Sequence, residues 1–159
     1  MPDYVKLLCK EIEETGKIAK SLSLNLESVY IGGGTPTALT AEYLKDVTDA
    51  IGKNFNITEN CEYTIEAGRP DSVTGEKLEV IKQSGAKRIS INPQTFSDSV
   101  LEAIGRKHTS AMTEKAMLMA REHGFKNINM DLIAGLPTDT FESFQTTLSK
   151  TLSFEPENI

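Results

Sequence analysis

Hydrophobic positions along the chain follow two different periods, and segments of the two kinds alternate. In one kind, apolar residues recur every three or four positions, which is typical of helices that bury one face. In the other, short segments rich in β-branched and aromatic residues read as strands. The predicted helices span residues 3–21, 40–55, 74–83, 98–104, 110–122 and 140–152, and the predicted strands span residues 26–31, 61–67, 87–91 and 127–133.

Strands that alternate with helices in this way indicate βαβ units, and therefore a parallel sheet in an α/β fold. Four strands cannot close a barrel of the eight-stranded kind. The pattern leaves an open doubly wound sheet or an arc of an incomplete barrel, with the helices on the outside. Within it, the asparagine-rich stretch 54–60 is predicted as a loop, and Phe141, Phe144 and Leu148 as the buried stripe of the last helix.

Composition adds mainly exclusions. The chain has 159 residues, of which 38% are hydrophobic, and a net charge of −6 without any run of Lys and Arg, which argues against nucleic acid as the partner. No apolar run is long enough to cross a bilayer, so we expect no membrane partner. The two distant cysteines, Cys9 and Cys61, predict neither a disulfide framework nor a metal site, and they suit a reducing, cytoplasmic location.

The first strand runs directly into three consecutive glycines, Gly32, Gly33 and Gly34, followed by Thr35 and Pro36. Glycine permits positive φ and close approach to the backbone, and each one adds to the entropy lost on folding. A strand, a glycine turn and a helix are the layout of a site that holds a small ligand with main-chain groups. A tight βα turn without any ligand explains these residues equally well.

Each of the other strands is also followed or ended by a polar residue. Glu66 ends the second strand, Gln94 follows the third, and Asp131 stands between apolar neighbours in the fourth. Because sites in parallel α/β folds form at the carboxyl ends of the strands, we expect these residues to share one rim. A solvated strand end for Glu66 and a structural hydrogen-bonding role for Asp131 are the alternatives.

Arg106 follows a helix that ends at Gly105. It is either an exposed cation at a helix end or a guanidinium that reaches over the rim to pair with a ligand carboxylate, which its planar fork suits. His108, two residues later, is predicted to be an ordinary loop residue.

Together these residues resemble the consecutive motifs of radical S-adenosylmethionine (SAM) enzymes, in particular the oxygen-independent coproporphyrinogen III oxidase (coproporphyrinogen dehydrogenase) family. The motifs occur in family order and span most of the chain. They are residues 32–37 (GGGTPT), Glu66 with Pro70, residues 92–96 (NPQTF), residues 105–109 (GRKHT) and residues 129–137 (NMDLIAGLP).

The resemblance implies an incomplete (β/α) barrel and an enzyme of haem biosynthesis. In this family a 4Fe-4S cluster cleaves SAM to a 5′-deoxyadenosyl radical, which abstracts hydrogen from propionate side chains of coproporphyrinogen III. Those side chains lose CO₂ and become vinyl groups. Some homologues with nearly the same motifs are instead haem chaperones, which keep the cluster without this decarboxylation.

The resemblance also implies a role for each rim residue. The main chain of Gly33, Gly34 and Thr35 would hold the methionine end of SAM, and Arg106 would pair with its carboxylate. The amino and ribose groups would be hydrogen-bonded by the remaining polar residues of the rim, which are Glu66, Gln94 and Asp131.

One departure from the family is plain: the CxxxCxxC motif that binds the cluster is absent. We therefore expect residues 1–159 to be a partial radical SAM core domain, truncated at both ends, without cluster ligands and inactive by itself. SAM binding should be weak or absent, since the cluster normally chelates the ligand. The open edges of such an arc favour self-association.

Overall fold

The computed structural model describes all 159 residues, which form six helices and four strands. Threonine side chains cap four of the helices by accepting a hydrogen bond from the backbone three residues on, and Thr40 is one of them. The helices are α1 (Pro2–Ser21), α2 (Ala41–Asn54), α3 (Gly75–Gln83), α4 (Asp98–Ala103), α5 (Ser110–Glu122) and α6 (Phe141–Ser153), and the strands are β1 (Asn25–Ile31), β2 (Asn56–Glu66), β3 (Arg88–Ser90) and β4 (Ile128–Asn129).

The strands form one parallel sheet in the order β1-β2-β3-β4. Successive strands are neighbours, as they are in a barrel, and the sheet does not close on itself. The predicted α/β fold, an arc of an incomplete (β/α) barrel, is therefore confirmed.

The register places apolar residues in one row across the sheet and polar ones in the next. Ile31, Ile65, Ile89 and Ile128 form one such row, and the last three of these are fully buried in the core between sheet and helices. Burial of each isoleucine side chain contributes about 1.5–3 kcal/mol, so this row is a large part of what holds the helices to the sheet. The alternate positions form what we call the open face, which includes Tyr30, Thr64, Glu66, Arg88 and Asn129.

The prediction of a loop over residues 54–60 was wrong. Strand β2 begins at Asn56, which is paired with Asn25, and Ile57 is paired with Leu26. The side chains of the two asparagines are hydrogen-bonded to each other, and the Thr58 hydroxyl donates to the Leu26 carbonyl at 3.2 Å. These cross-strand bonds outweigh the low strand propensity of asparagine.

The predicted buried stripe of the last helix was also wrong. Phe141 is 72% exposed and Leu148 38% exposed, whereas Thr147 and Thr151 are buried. The Thr147 hydroxyl lies 3.1 Å from that of Thr95 and accepts a hydrogen bond from the Phe96 backbone at 3.0 Å. A satisfied hydroxyl is tolerated in the interior, so this face of α6 packs through its threonines.

The fourth strand is shorter than predicted, because only Ile128 and Asn129 have strand geometry. Beyond them a single bridge joins Leu132 to Gln94. Asp131 therefore follows the strand and is not part of it. None of the six helices combines the length and the hydrophobicity needed to cross a membrane.

Candidate functional site

The three glycines after β1 meet different constraints. A Cβ atom on Gly32 would lie 2.5 Å from Cε1 of Tyr30 and 2.9 Å from Cδ of Glu66, so a side chain there would displace the bonded ends of these two residues. Gly33 has φ +102°, which favours glycine. Gly34 has no positive φ, and a Cβ there would meet no atom of the chain within 4 Å. Nothing in the chain itself requires glycine at position 34. Thr35 follows, half-buried, at the start of a short 3₁₀ turn.

Glu66 ends β2 and is half-buried beside Gly32. The hydroxyl of Tyr30, on the neighbouring strand, donates a hydrogen bond to its Oε1 atom. This bond to the carboxylate, helped by burial and by the nearby negative charge, raises the pKa of Tyr30 to about 12. The bond occupies one oxygen of Glu66 and fixes which way the carboxylate points.

Gln94 lies beyond β3 and holds the backbone in the left-handed region, with φ +65°. Its N–H donates to the Asp131 carbonyl at 3.1 Å, and its own carbonyl accepts from the Ile133 N–H at 2.9 Å. These two bonds continue the β3–β4 pairing past the strands. A non-glycine residue at such a φ costs about 1–3 kcal/mol and is frequent at functional sites.

Asp131 is exposed at the same rim. Its Oδ1 atom accepts a hydrogen bond from the side chain of Asn129 at 2.6 Å, and its N–H donates to Oδ1 of Asn92 at 3.3 Å. The sequence did not predict these partners. One oxygen of the carboxylate is thus bonded to Asn129 on β4, while the other makes no hydrogen bond within the chain.

Arg106 lies just past α4, after Gly105, whose φ is +71°. Its guanidinium is exposed and makes no hydrogen bond or salt bridge within the chain. His108 is not an ordinary loop residue, because it is buried and its Nε2 atom lies 3.1 Å from the Pro93 carbonyl. This contact connects the loop that contains Arg106 to the loop that contains Gln94.

Parallel topology places the glycine turn and the residues after β2, β3 and β4 at one edge of the sheet. Sequence reasoning identified that edge but missed the second set of side chains, which face the rim residues from the strands. In the sequence, the only sign of these strand side chains is the alternation of polar and apolar positions, which assigns them to the open face. They are Tyr30, Arg88 and Asn129, joined by His108 in its loop.

An apolar cavity of about 740 Å³ lies beside the glycine turn, between α1, β1 and α2. Gly32, Gly34 and Thr35 line one end, and side chains such as Leu8 and Leu39 line the rest. The structure contains no group of three or more His, Cys, Asp or Glu side chains that could hold a metal ion. Cys9 lies on α1 and Cys61 on β2, and both are free thiols.

Comparison with known proteins agrees with this geometry. In Bacillus subtilis, the oxygen-independent coproporphyrinogen-III oxidase-like protein HemZ is 41% identical over 150 residues, which are 94% of this chain and 30% of that protein. The haem chaperone HemW of the same organism is 38% identical over 98% of this chain and 41% of its own length. The chain thus spans well under half the length of these relatives.

Among solved structures, Escherichia coli coproporphyrinogen III oxidase HemN, a radical SAM enzyme, superposes with a TM-score of 0.87 at 28% identity. The match covers 98% of this chain and 35% of that one. The model of the Radical SAM superfamily matches residues 1–150. The chain therefore belongs to the radical SAM superfamily.

Proposed function

We propose that this chain is part of the core domain of a coproporphyrinogen III oxidase-like radical SAM enzyme, and that its rim holds SAM. The observation that carries the proposal is the rim itself. A glycine turn follows β1, Glu66 ends β2, and Gln94 and Asp131 follow β3 and β4 at the same edge.

Gly34 supports a ligand at this rim. Its backbone conformation is open to other residues, and the chain leaves free space where a side chain would stand. A glycine at position 34 loses more conformational entropy on folding than another residue would, and no contact within the chain compensates for this loss. A ligand lying against the main chain of Gly33, Gly34 and Thr35 explains why position 34 has no side chain.

The rim side chains suit the polar groups of SAM. The unpaired guanidinium of Arg106 matches the ligand carboxylate. The remaining carboxylate oxygens of Glu66 and Asp131, with the Gln94 amide, accept from its ammonium and ribose hydroxyls. SAM, when bound, supplies the radical chemistry of hydrogen abstraction; the residues of this chain bind and orient it.

The chain does not fit the 4Fe-4S cluster that the superfamily implies. Its only cysteines stand on different elements, and no cluster of ligating side chains exists. We therefore assign no step through the cluster to these residues. Two free thiols suit a reducing cytoplasm.

For the longer protein we propose oxidative decarboxylation of coproporphyrinogen III propionates. The second candidate is a haem chaperone, which is favoured by the 38% identity to HemW. A protein that extends this sequence to the full length of its relatives distinguishes the two. After anaerobic reconstitution, the oxidase consumes coproporphyrinogen and releases 5′-deoxyadenosine, whereas the chaperone binds haem stoichiometrically without turnover. A preparation that does neither excludes both.

Substitution of Gly34 tests the SAM site in the chain itself. We expect SAM to shift the backbone NMR signals of the glycine turn with a dissociation constant on the order of 1 mM, weak because the cluster contacts are missing. In Gly34→Ala the added methyl group fills the ligand's space and binding is lost. Stability is unchanged or rises by up to about 1 kcal/mol, since no atom of the chain is displaced.

Gly52, in the last turn of α2, is a matched control because it too has open space and no positive φ. Gly52→Ala should stabilise the chain by about 1 kcal/mol and leave SAM binding unchanged. SAM binding by Gly34→Ala with the affinity of the original chain would contradict the proposed site.

A further inference from the structure

Three side chains on the open face form a continuous hydrogen-bonded series that ends at the rim. Nη2 of Arg88, on β3, donates to Oδ1 of Asn129, on β4, at 2.9 Å. Nδ2 of Asn129 donates to Oδ1 of Asp131 at 2.6 Å. Asn129 is 8% exposed, so water competes little for its amide.

The chemistry of the three groups permits this series in only one direction. A guanidinium is a donor only and an ionised carboxylate an acceptor only, whereas an amide has one end of each kind. With its oxygen engaged by Arg88, the amide of Asn129 must present its nitrogen to Asp131. An aspartate at position 129 would face Asp131 with a like charge, and an apolar residue would leave it without a donor.

The backbone of Asp131 is fixed as well. Its N–H is bonded to Asn92, and its carbonyl to the N–H of Gln94. One carboxylate oxygen is bonded to Asn129, and the other makes no hydrogen bond within the chain, so all of its acceptor capacity is left for a ligand. An exposed carboxylate would otherwise sample several rotamers, and a ligand would have to order it at a cost in affinity.

We propose that Arg88 and Asn129 are positioning residues for Asp131. Arg88 orients the Asn129 amide, and Asn129 holds one oxygen of Asp131, so that the other faces a hydroxyl or ammonium donor of bound SAM. The ligand in this inference rests on the proposed function; the orientation of Asp131 does not.

Scalar couplings across χ1 of Asp131, measured by NMR on the chain without ligand, test the orientation directly. We expect the values of a single staggered rotamer in the original chain and averaged values in Asn129→Leu, which keeps the side-chain size and removes the donor. Arg88→Met should give partial averaging, and Arg88→Lys, which restores one donor, should recover most of the original values. Averaged couplings in the original chain, or a fixed rotamer in Asn129→Leu, would overturn the proposal.

SAM titration of the same variants tests the consequence for binding. Asn129→Leu should weaken SAM about tenfold and Arg88→Met about threefold, with recovery in Arg88→Lys. Lys87→Met is the matched control, because it removes the positive charge next to Arg88, just before β3, and should leave both the couplings and the affinity unchanged. Urea unfolding of every variant shows which of them fold.

The two measurements separate the two proposals. Fixed couplings without any SAM-induced shift in the original chain would contradict the proposed function and leave the positioning role supported. SAM binding with an affinity unaffected by Asn129→Leu would contradict the positioning role and leave the site standing. Loss of stability with unchanged affinity in the variants would show a purely structural series and would also overturn the inference.

Discussion

The conformations of several residues at or beside the rim are explained by contacts with residues distant in the sequence. Gln94 keeps a left-handed backbone because the bonds to Asp131 and Ile133 continue the sheet on both sides of it. Tyr30 is 61% exposed yet is tied to Glu66 across the β1–β2 pair. Gly32 leaves room for both side chains of that pair. The sequence shows Gly32, but it does not show why a glycine is needed there, because the Glu66 side chain that occupies the space comes from another strand.

The Tyr30–Glu66 bond predicts an alkaline titration. The neutral phenol is favoured in the folded chain, so its pKa is raised from 10 to about 12. A raised pKa means that the contribution of the bond to stability is complete below pH 10 and is lost as the pH rises from 10 toward 12. Glu66→Gln should return the Tyr30 pKa toward its ordinary value, since it removes the charged acceptor.

Near-ultraviolet absorbance of tyrosinate measures this titration, and the difference from Tyr30→Phe isolates one tyrosine among the four. Glu62→Gln, on the same strand, is the control and should leave the titration of Tyr30 unchanged. If Tyr30 titrates at its ordinary pKa in the original chain, the bond does not exist in solution.

At the scale of elements, the sequence predicted every helix and strand by type but not all of their lengths. The periodicity of α2 and α5 is local, so the sequence shows it. The start of β2 depends on Asn25, distant in the chain, and the buried face of α6 depends on Thr95 and Phe96. Strand β4 ends early because the backbone of Asp131 bonds to Asn92. Such pairings over long sequence distances leave no periodic signal.

The outer edge of β4 is paired with the last residues of the chain. Glu157 N–H donates to the Ile128 carbonyl at 3.1 Å, and Asn158 is bridged in parallel to Asn129. Oε2 of Glu157 accepts from the Ile128 N–H at 2.8 Å and from Nη1 of Arg121 at 3.2 Å. Burial raises the pKa of Glu157, but these hydrogen bonds outweigh it and lower the net pKa below the ordinary value of 4.5.

Glu157→Gln should therefore lower the free energy of unfolding by up to about 1 kcal/mol near neutral pH, a modest value because the pair is partly exposed. A lowered pKa means that the contribution is present above pH 4.5 and is lost as the pH falls through the folded-state pKa. The difference between the two proteins should shrink with acidification when urea unfolding is followed by circular dichroism.

Glu155→Gln is the control, since its carboxylate has no partner. A difference that is constant with pH would contradict the assignment.

At the scale of the whole molecule, the sheet has one face covered by helices and one open face with the polar series. The order of the strands brings four separate sequence motifs to one edge, which is why the prediction of a site rests on the motif order more than on any single motif. The two lateral edges of the sheet differ. The end of the chain partly covers β4, whereas β1 pairs only with β2 and has the apolar cavity beside it.

This asymmetry predicts self-association through the β1 edge. An unpaired parallel edge next to apolar side chains favours pairing with a second copy, and a net charge of −6 opposes it only weakly at physiological salt. We expect the mass measured by light scattering after size-exclusion chromatography to rise from monomer with concentration. Tyr4→Lys should reduce association, because Tyr4 is 60% exposed and lines the cavity beside β1. Phe141→Lys is the matched control: it also exchanges an exposed aromatic residue for a cation, but on α6, which follows β4. An equal effect of both variants would indicate general hydrophobic association in place of a β1 interface, and a monomer at all concentrations would contradict the prediction.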